Sequence, residues 1–388
     1  MLSDGLRVGV VIDGVDRWRF FERFLGAPLI KSVDVIALRN SDINNKLNRN
    51  LSVFWLVLSC FEFLIKNRFK SIEISETLDY HTSGVLRSYI YFIAGWIICK
   101  SKLHAVTIDV CYLWNGTKAF SKGAEAALRS KGIKVLFLEI GNVPGKLFCD
   151  PLGTNKNSYL FNNIQILSDT LLDFDAVDNW LVNYITDLKS VSLPPQFELE
   201  KNIKQNSNLK QGSRNISRLG NHIFYDFSSE NFHNKLPDEY YFVPLQVSKD
   251  SQLLLNSKVN NLDLIRELSL SKEYQNTNFV VKFHPCDSVE SVEKILNEIK
   301  GLSNWVINQG PSASLIEKSK EVITINSTVG LEAILLDRPV KFYGESIFSK
   351  MDKRMALAYV SKYLLSVDYF SNNTFTEEEV KVLVVSKI

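Results

Sequence analysis

Three apolar runs in the C-terminal half of the chain are each closed by polar residues and a turn signal. They are 240–247, 278–285 and 321–325, and the third leads through small polar residues into a helical pattern. Short apolar runs rich in β-branched and aromatic residues, separated by helical patterns, predict the strands of an α/β sheet. In an open α/β sheet, ligands bind outside the carboxyl ends of the strands, near the point where strand order reverses. The pattern therefore predicts an α/β fold with a binding site at that edge.

The end of the third run has the features of a phosphate site. The helix that follows begins at Ser327 and Thr328, and the first N–H groups of a helix lack partners within it and carry the positive end of its dipole. A phosphate binds readily there, and Gly330 would let a ligand approach the backbone closely. An ordinary capped helix explains the same residues, with Glu332 either in a capping box or accepting from a ribose hydroxyl.

Composition excludes several classes of protein. With 388 residues, 45% of them hydrophobic, the chain is long enough for two globular domains. A net charge of +2 gives no reason to expect nucleic acid as a general partner. The cysteines are scattered, with no C-x-x-C pair and no histidine at ligand spacing, which indicates a reduced compartment and no metal site. They are Cys60, Cys99, Cys111, Cys149 and Cys286.

The N-terminal residues and two apolar stretches bear on the location of the protein. Residues 6–13 are typical of a first strand rather than of a signal peptide, and we expect a cytoplasmic protein. The stretches 51–65 and 89–99 are shorter than the roughly 20 apolar residues that a spanning helix needs. We interpret both as core helices. The alternative is an aromatic face lying peripherally on the inner membrane, beside the basic residues after 65.

The alternation of strands and helices predicts three segments: an N-terminal domain over 1–186, a linker over 187–237 and a C-terminal domain over 238–388, whose last helix could cross back. Predicted strands lie at 7–12, 32–37, 105–110 and 135–139 in the first domain, and at 240–247, 278–283, 304–308, 321–325 and 339–343 in the second. Residues 201–221 carry five basic residues and no acidic ones, which is typical of a solvated linker. Docking of a polyanionic or lipid-phosphate acceptor is the alternative use of this basic segment.

Several short motifs follow one another in a fixed order. They are Trp114-Asn115-Gly116, Glu139-Ile140-Gly141-Asn142, Asp150-Pro151-Leu152-Gly153, Val243-Pro244-Leu245-Gln246, Asp250-Ser251-Gln252, Lys282-Phe283-His284-Pro285, Asn326-Ser327-Thr328-Val329-Gly330-Leu331-Glu332 and Arg338-Pro339-Val340 with Tyr343-Gly344. The set resembles the bacterial capsule polysaccharide biosynthesis protein family, which includes retaining transferases of β-Kdo (3-deoxy-D-manno-oct-2-ulosonic acid). The resemblance extends over about 105–160 and 238–348.

The resemblance implies a GT-B fold, in which two Rossmann-like domains face each other across a cleft. It implies CMP-β-Kdo as the donor, a glycan acceptor that is lipid-linked, and retention of configuration by double displacement. The product would enter capsule or O-antigen polysaccharide. No metal cofactor is expected, because a helix terminus and cationic side chains would balance the charge of the leaving group.

Three residues are the predicted catalytic group. Asp250 is the expected nucleophile, with an N-cap or turn aspartate as the alternative. Glu139 closes an apolar strand and is the expected general acid/base, although an ion pair would also explain it. His284 precedes a proline at a strand end and could donate to the donor phosphate or the Kdo carboxylate.

The remaining site residues divide between the two ligands. The expected donor-binding residues are Gln246, Lys282, Asn326, Ser327, Thr328, Gly330 and Glu332, and the expected acceptor-side residues are Asn115, Gly116 and Asn142. The motifs leave other functions open. The alternatives are a GT-B transferase with CMP-sialic acid or a furanosyl donor, a non-catalytic glycan-binding module, and a polymerase that transfers glycerol phosphate from a CDP donor.

Overall fold

The computed structural model describes residues 5–13, 15–37, 84–189 and 235–385. The chain divides into two compact units: unit 1 comprises Met1–Asn162 with Tyr363–Ile388, and unit 2 comprises Asn163–Lys362. The apolar stretch 51–65 and the basic segment 201–221 lie outside the described residues, so the predictions made for them stay predictions.

Unit 1 is built on a five-stranded sheet with the order β2-β1-β3-β4-β5. Its strands are β1 (Leu6–Ile12), β2 (Ile30–Ala37), β3 (Val110–Trp114), β4 (Lys134–Ile140) and β5 (Leu147–Asp150). The first four strands are parallel, and β5 is antiparallel to β4. Its helices in the described residues up to 162 are α1 (Val15–Phe21), α2 (Val85–Ala105), α3 (Ala119–Arg129) and α4 (Tyr159–Asn162). This arrangement is the α/β class that the alternating pattern predicted.

The strand predicted at 105–110 is wrong. The long helix α2 continues to Ala105, and the strand begins only at Val110. Both elements are apolar where they face the same core, which contains Trp96 and Cys99 of α2 and Cys111 and Leu113 of β3. An apolar run alone therefore does not show where the helix stops and the strand begins.

Helices α2 and α3 approach each other through glycine. Gly95 of α2 lies against the backbone of Phe120, and Gly123 of α3 lies against the backbone of Phe92. A side chain at either position would overlap a carbonyl oxygen of the partner helix. The two helices can pack this closely only because these positions carry no Cβ. The predicted core stretch 89–99 lies within α2, which confirms that it is helical.

Unit 2 contains a second five-stranded sheet, with the order β10-β9-β6-β7-β8 and parallel pairing throughout. Its strands are β6 (Tyr241–Pro244), β7 (Phe279–Lys282), β8 (Trp305–Ile307), β9 (Glu321–Thr324) and β10 (Val340–Phe342). Its helices within 163–189 and 235–362 are α5 (Phe174–Lys189), α6 (Ser251–Asn256), α7 (Asn261–Leu270), α8 (Val289–Ile299), α9 (Ser312–Lys318), α10 (Thr328–Leu335) and α11 (Lys353–Ala358). All five strands predicted for this part of the chain are present.

The strand order of unit 2 reverses at its centre. The chain builds outward from β6 through β7 to β8, and then crosses to the other side of β6 for β9 and β10. The carboxyl ends of β6 and β9 therefore border the switch point, where ligands of open α/β sheets bind.

The end of the chain returns to unit 1. Residues after Tyr363 pack on unit 1, where Leu365 pairs with Leu147 and the last helix, α12 (Glu377–Val385), contributes Val380 and Leu383 to the core. The observed units place α5 in unit 2, outside the predicted segment 1–186, and place the C-terminal residues in unit 1, in line with the crossing-back that the prediction allowed for the last helix.

Arg23 holds this C-terminal return in place. Its buried guanidinium donates to Asp368 O and Asn373 O, both at 2.6 Å, and to Glu379 Oε1 at 3.0 Å. It also lies over the ring of Phe375, 4.1 Å from the centroid. A buried charge is tolerated only when it is paired and hydrogen-bonded, as it is here.

None of the helices in the described part of the chain combines the length and the apolar character needed to cross a bilayer.

Replacing Gly123 with Ala should lower the free energy of unfolding by about 1–3 kcal/mol, because overpacking forces helices apart. Chemical denaturation measures this change. The matched control is Ala126→Ser on the exposed side of the same helix, where we expect a change within about 0.5 kcal/mol. Equal stability of Gly123→Ala and wild type would show that α2 and α3 are not held at this distance.

Replacing Arg23 with Met should destabilise the protein by about 3 kcal/mol, since it removes one partner of a buried ion pair and leaves two carbonyl groups without a donor. Urea denaturation followed by tryptophan fluorescence checks this expectation. Arg266→Met is the control, because Arg266 is exposed and its partner Glu298 is partly exposed, and surface pairs contribute about 0–1 kcal/mol. Similar losses for the two variants would contradict the role of Arg23.

Candidate functional site

Polar residues gather at the carboxyl edge of the unit 2 sheet. Three adjacent strands, β9, β6 and β7, end at Thr324, Pro244 and Lys282. The residues that follow them include Asn326, Gln246 and His284, all predicted site residues. The structure therefore brings the three polar strand ends together at the switch point.

Gln246 and Asn326 are joined by a reciprocal pair of hydrogen bonds. Gln246 Nε2 donates to Asn326 Oδ1 at 2.8 Å, and Asn326 N donates to Gln246 Oε1 at 3.0 Å. Both residues are buried. Asn326 Nδ2 also donates to Gln252 O at 3.0 Å, which ties the start of α6 to the end of β9. The pair connects the two loops that border the switch point.

Asn261 completes the environment of Gln246. Its Nδ2 donates to Gln246 O at 2.6 Å, and its Oδ1 accepts from Gln246 N at 3.3 Å. The backbone and side-chain polar groups of Gln246 are therefore all engaged within the protein. This arrangement gives Gln246 a structural role. The sequence contained no sign that Asn261 is its partner, because Asn261 resembles an ordinary residue at the start of a helix.

Asp250 is the N-cap of α6. Its Oδ1 accepts from Gln252 N at 2.8 Å, and its own N–H donates to Val247 O at 2.9 Å. Burial raises the pKa of this carboxyl group, and the hydrogen bond from Gln252 opposes the change. The capping role foreseen as the alternative for Asp250 is thus present. The cap occupies Oδ1 and leaves the second carboxylate oxygen, Oδ2, outside it.

His284 has a defined tautomer. Its Nδ1 accepts from Cys286 N at 3.1 Å, so in the neutral ring Nε2 carries the proton. Burial, with a smaller effect of the nearby Lys282 ammonium, lowers the pKa of His284 to about 4. At neutral pH the ring is therefore an uncharged donor that can hydrogen-bond an anion through Nε2.

The start of α10 is a capped helix. Ser327 Oγ accepts from Val329 N at 3.2 Å, and Ser327 O accepts from Gly330 N at 3.0 Å. The hydroxyl hydrogen of Ser327 is still able to donate. Gly330 is packed against the ring of Phe342, which a Cβ would overlap. The structure thus gives Gly330 a packing role on β10, whereas the sequence suggested close approach of a ligand.

Lys282 and Glu332 are both half-buried and lie near enough beside the site for their charges to interact. Lys282 Nζ donates to Gly310 O at 2.8 Å and to Ser312 Oγ at 2.9 Å, and burial lowers its pKa. Burial raises the pKa of Glu332 to about 7, and the charge of Lys282 opposes this change. Glu332 Oε2 is buried and has no hydrogen-bond partner within the described residues. Glu332 is the fifth residue of α10, so it does not form a capping box, which needs the third.

The predicted acceptor-side residues lie at the carboxyl edge of unit 1. Asn115 and Gly116 follow β3 with φ values of 54° and 70°, and a Cβ on Gly116 would overlap the Phe137 ring. Asn115 Oδ1 is buried without a hydrogen-bond partner in the part of the chain described. Asn142 follows β4 at the same edge, because β3 and β4 are parallel.

Glu139 lies one residue before the end of β4, opposite Phe148 of β5, and is half-buried. The structure thus places Asp250 and His284 in unit 2 and Glu139 in unit 1. Their predicted catalytic roles stay predictions.

Asp150 organises a loop of unit 1 that sequence reasoning recognised only as a motif. Its buried carboxylate accepts from Leu152 N and Tyr159 N at 2.8 Å, from Leu160 N at 3.2 Å and from the Tyr363 hydroxyl at 2.8 Å. The motif beginning at Asp150 therefore fixes the chain after β5 and links it to the C-terminal return.

No group of three or more His, Cys, Asp or Glu side chains suited to holding a metal ion occurs among the residues that the structure describes. The expectation of metal-independent chemistry stays a prediction.

Comparison with known proteins identifies the C-terminal motifs. Residues 198–351 match the family model described as "Capsule polysaccharide biosynthesis protein". The range includes the motifs from Val243 to Gly344, and the motifs between Trp114 and Asn155 lie outside it.

The chain is also similar in part to two known proteins, and one solved structure aligns with it. The capsule polysaccharide export protein KpsS of Escherichia coli is 32% identical over 125 residues, which is 30% of this chain and 32% of KpsS. Protein FixF of Sinorhizobium fredii is 33% identical over 118 residues, 29% of this chain and 28% of FixF. These matches span about a third of each relative's length. The β-Kdo 2,7 transferase KpsC of Thermosulfurimonas dismutans aligns over 98% of this chain and 99% of that chain, with a TM-score of 0.47 and 14% identity.

The resemblance predicted from the motifs is confirmed for one part of the chain, because residues 198–351 match the model of the capsule polysaccharide biosynthesis protein family.

Proposed function

We propose that the chain is a retaining glycosyltransferase of capsule or O-antigen polysaccharide synthesis that transfers Kdo from CMP-β-Kdo to a lipid-linked glycan. The observation that carries the proposal is the set of polar strand ends at the switch point of unit 2, where α/β proteins bind nucleotides. The identity of the sugar comes from the motif resemblance. The enzyme would act in the cytoplasm, at the inner membrane where its acceptor is held.

The donor would be bound through its anionic groups and its ribose. His284 presents a neutral Nε2–H donor, which suits a phosphate or a carboxylate. Ser327 and Thr328 add hydroxyl groups at the positive end of α10. Glu332 Oε2 is a buried acceptor that lacks a donor among the residues described, and a ribose hydroxyl would satisfy it.

The reaction would proceed in two inversions. Asp250 attacks the anomeric carbon of Kdo through Oδ2, the bond to the CMP phosphate breaks, and the CMP leaves with the bonding electron pair. In the second step Glu139 removes the proton of the acceptor hydroxyl, whose oxygen then displaces Asp250 from the anomeric carbon. Both inversions together retain the configuration.

Asp250→Asn tests the nucleophile, and intact-protein mass spectrometry after incubation with CMP-Kdo is the measurement. We expect wild type to gain the mass of one Kdo residue and the variant to gain none. Asn caps helices as well as Asp does, so α6 should remain intact. Asp352→Asn, which alters the N-cap of α11, is the control and should form the adduct.

Other outcomes separate the alternatives. The reaction is also run with the acceptor present and stopped by rapid quenching. If CMP is released and no adduct is found under these conditions either, double displacement is overturned as the mechanism. No release and no CMP binding would overturn the Kdo assignment, and CMP-sialic acid, furanosyl and CDP-glycerol donors would then be compared. A chain that binds glycan but cleaves none of these donors would be a non-catalytic module.

Glu332→Gln tests the ribose contact. We expect CMP to bind the variant about tenfold more weakly than wild type at pH 8, where Glu332 is ionised, and the difference to shrink towards pH 6, because protonation removes an acceptor. Isothermal titration calorimetry measures both proteins at each pH, so titration of the CMP phosphate cancels in the comparison. With 2′,3′-dideoxy-CMP the two proteins should bind equally. An unchanged CMP affinity would contradict the role of Glu332.

A further inference from the structure

A buried carboxylate lies beneath the loop that carries Asp250. Asp287 is 1% exposed and follows His284 and Pro285 in the turn after β7. No role was predicted for it from the sequence. Burying a carboxylate is costly unless several donors satisfy it, so its surroundings show what it stabilises.

The donors to Asp287 come mainly from the loop between β6 and α6. Asp287 Oδ1 accepts from Ser248 N at 3.1 Å, and Oδ2 accepts from Ser248 Oγ at 2.9 Å. Ser288 N donates to Oδ1 at 2.9 Å. Ser248 is thus held through both its backbone and its side chain, two residues before Asp250.

Capping of α8 does not account for Asp287. The N-cap of that helix is Ser288, whose Oγ accepts from Ser291 N at 3.3 Å. The carboxylate of Asp287 is directed instead to a different loop, 39 residues away in the sequence. Its principal contact is therefore tertiary.

The turn that holds Asp287 also holds the His284 ring. His284 O accepts from Asp287 N at 3.0 Å, and His284 Nδ1 accepts from Cys286 N at 3.1 Å. One short turn therefore fixes both the ring of His284 and the carboxylate of Asp287, which accepts two hydrogen bonds from Ser248. Ser248 is held by Asp287, and next to it Asp250 N donates to Val247 O at 2.9 Å. The position of Asp250 therefore depends on the turn that contains His284 and Asp287.

We propose that Asp287 is a positioning residue that sets the location of the Asp250 carboxylate relative to the His284 ring. The inference rests on the proposed function, in which His284 binds the donor and Asp250 attacks it. A displacement of about 1 Å between reacting groups can lower the rate about 100-fold. Binding of CMP, in contrast, would depend mainly on groups outside the loop between β6 and α6.

Asp287→Ala is the principal test, with Asp287→Asn as the conservative variant. At saturating CMP-Kdo, we expect Asp287→Ala to cleave the donor about 10–100-fold more slowly than wild type, while its dissociation constant for CMP changes less than about threefold. In Asp287→Asn the side-chain oxygen can still accept from Ser248 N and Ser288 N, and the side-chain NH₂ can donate to the Ser248 hydroxyl. This variant should therefore recover most of the rate.

Two further variants separate positioning from loss of folding. Ser248→Ala removes one of the hydrogen bonds to Asp287 and should give a smaller loss in rate. Asp263→Ala, an exposed capping residue of α7, should leave the cleavage rate unchanged. An unchanged rate in Asp287→Ala would overturn the proposal. A parallel loss of CMP binding and of thermal stability would show a purely structural residue and would overturn it as well.

Hydrogen exchange provides a readout that does not depend on activity. In Asp287→Ala, the amides of Ser248 and Asp250 should exchange at least tenfold faster, while those of β6 and β7 keep their rates. If wild type cleaves no donor, the proposed function fails, and the exchange rates still decide whether Asp287 fixes the loop. Unaltered exchange at Ser248 would overturn the inference whatever the activity.

Discussion

The amide pair between Gln246 and Asn326 joins the two strands at the centre of the unit 2 sheet, and the geometry of the candidate site depends on it. The pair is buried, and each amide satisfies groups of the other. Loss of one partner would leave buried polar atoms unpaired, at a cost of about 1–3 kcal/mol each. The loops after β6 and β9 are therefore held in one relative position, on which the placement of Asp250 and Ser327 depends.

Buried polar side chains also hold three other segments of this protein in place. Asp287 holds the loop before α6, Asp150 holds the chain after β5, and Arg23 holds the C-terminal return. In each case a buried side chain satisfies donors or acceptors from a segment distant in sequence. Glu332 differs, because its buried oxygen lacks such a partner within the described residues, and in the proposed function a ribose hydroxyl of the donor supplies one.

The fold class and the edge that carries the site could be predicted from local patterns. Apolar runs marked the strands of unit 2, and the polar residues after them marked its carboxyl edge. The strand at 105–110 was misplaced, because α2 and β3 are both apolar where they share a core. Strand β5 was not predicted, since a run as short as Leu147–Asp150 has no periodicity to detect.

Local sequence patterns were enough to predict the alternation of strands and helices, the resemblance to a family and the set of polar residues at the strand ends. Each of these follows from residues close together in the chain. The contacts of these residues became visible only in the fold. Gln246 is paired with Asn326, Gly330 packs on Phe342, and Asp287 accepts hydrogen bonds from Ser248. Hydrogen bonds between distant segments depend on strand order and register, and no local pattern of the sequence specifies either of these.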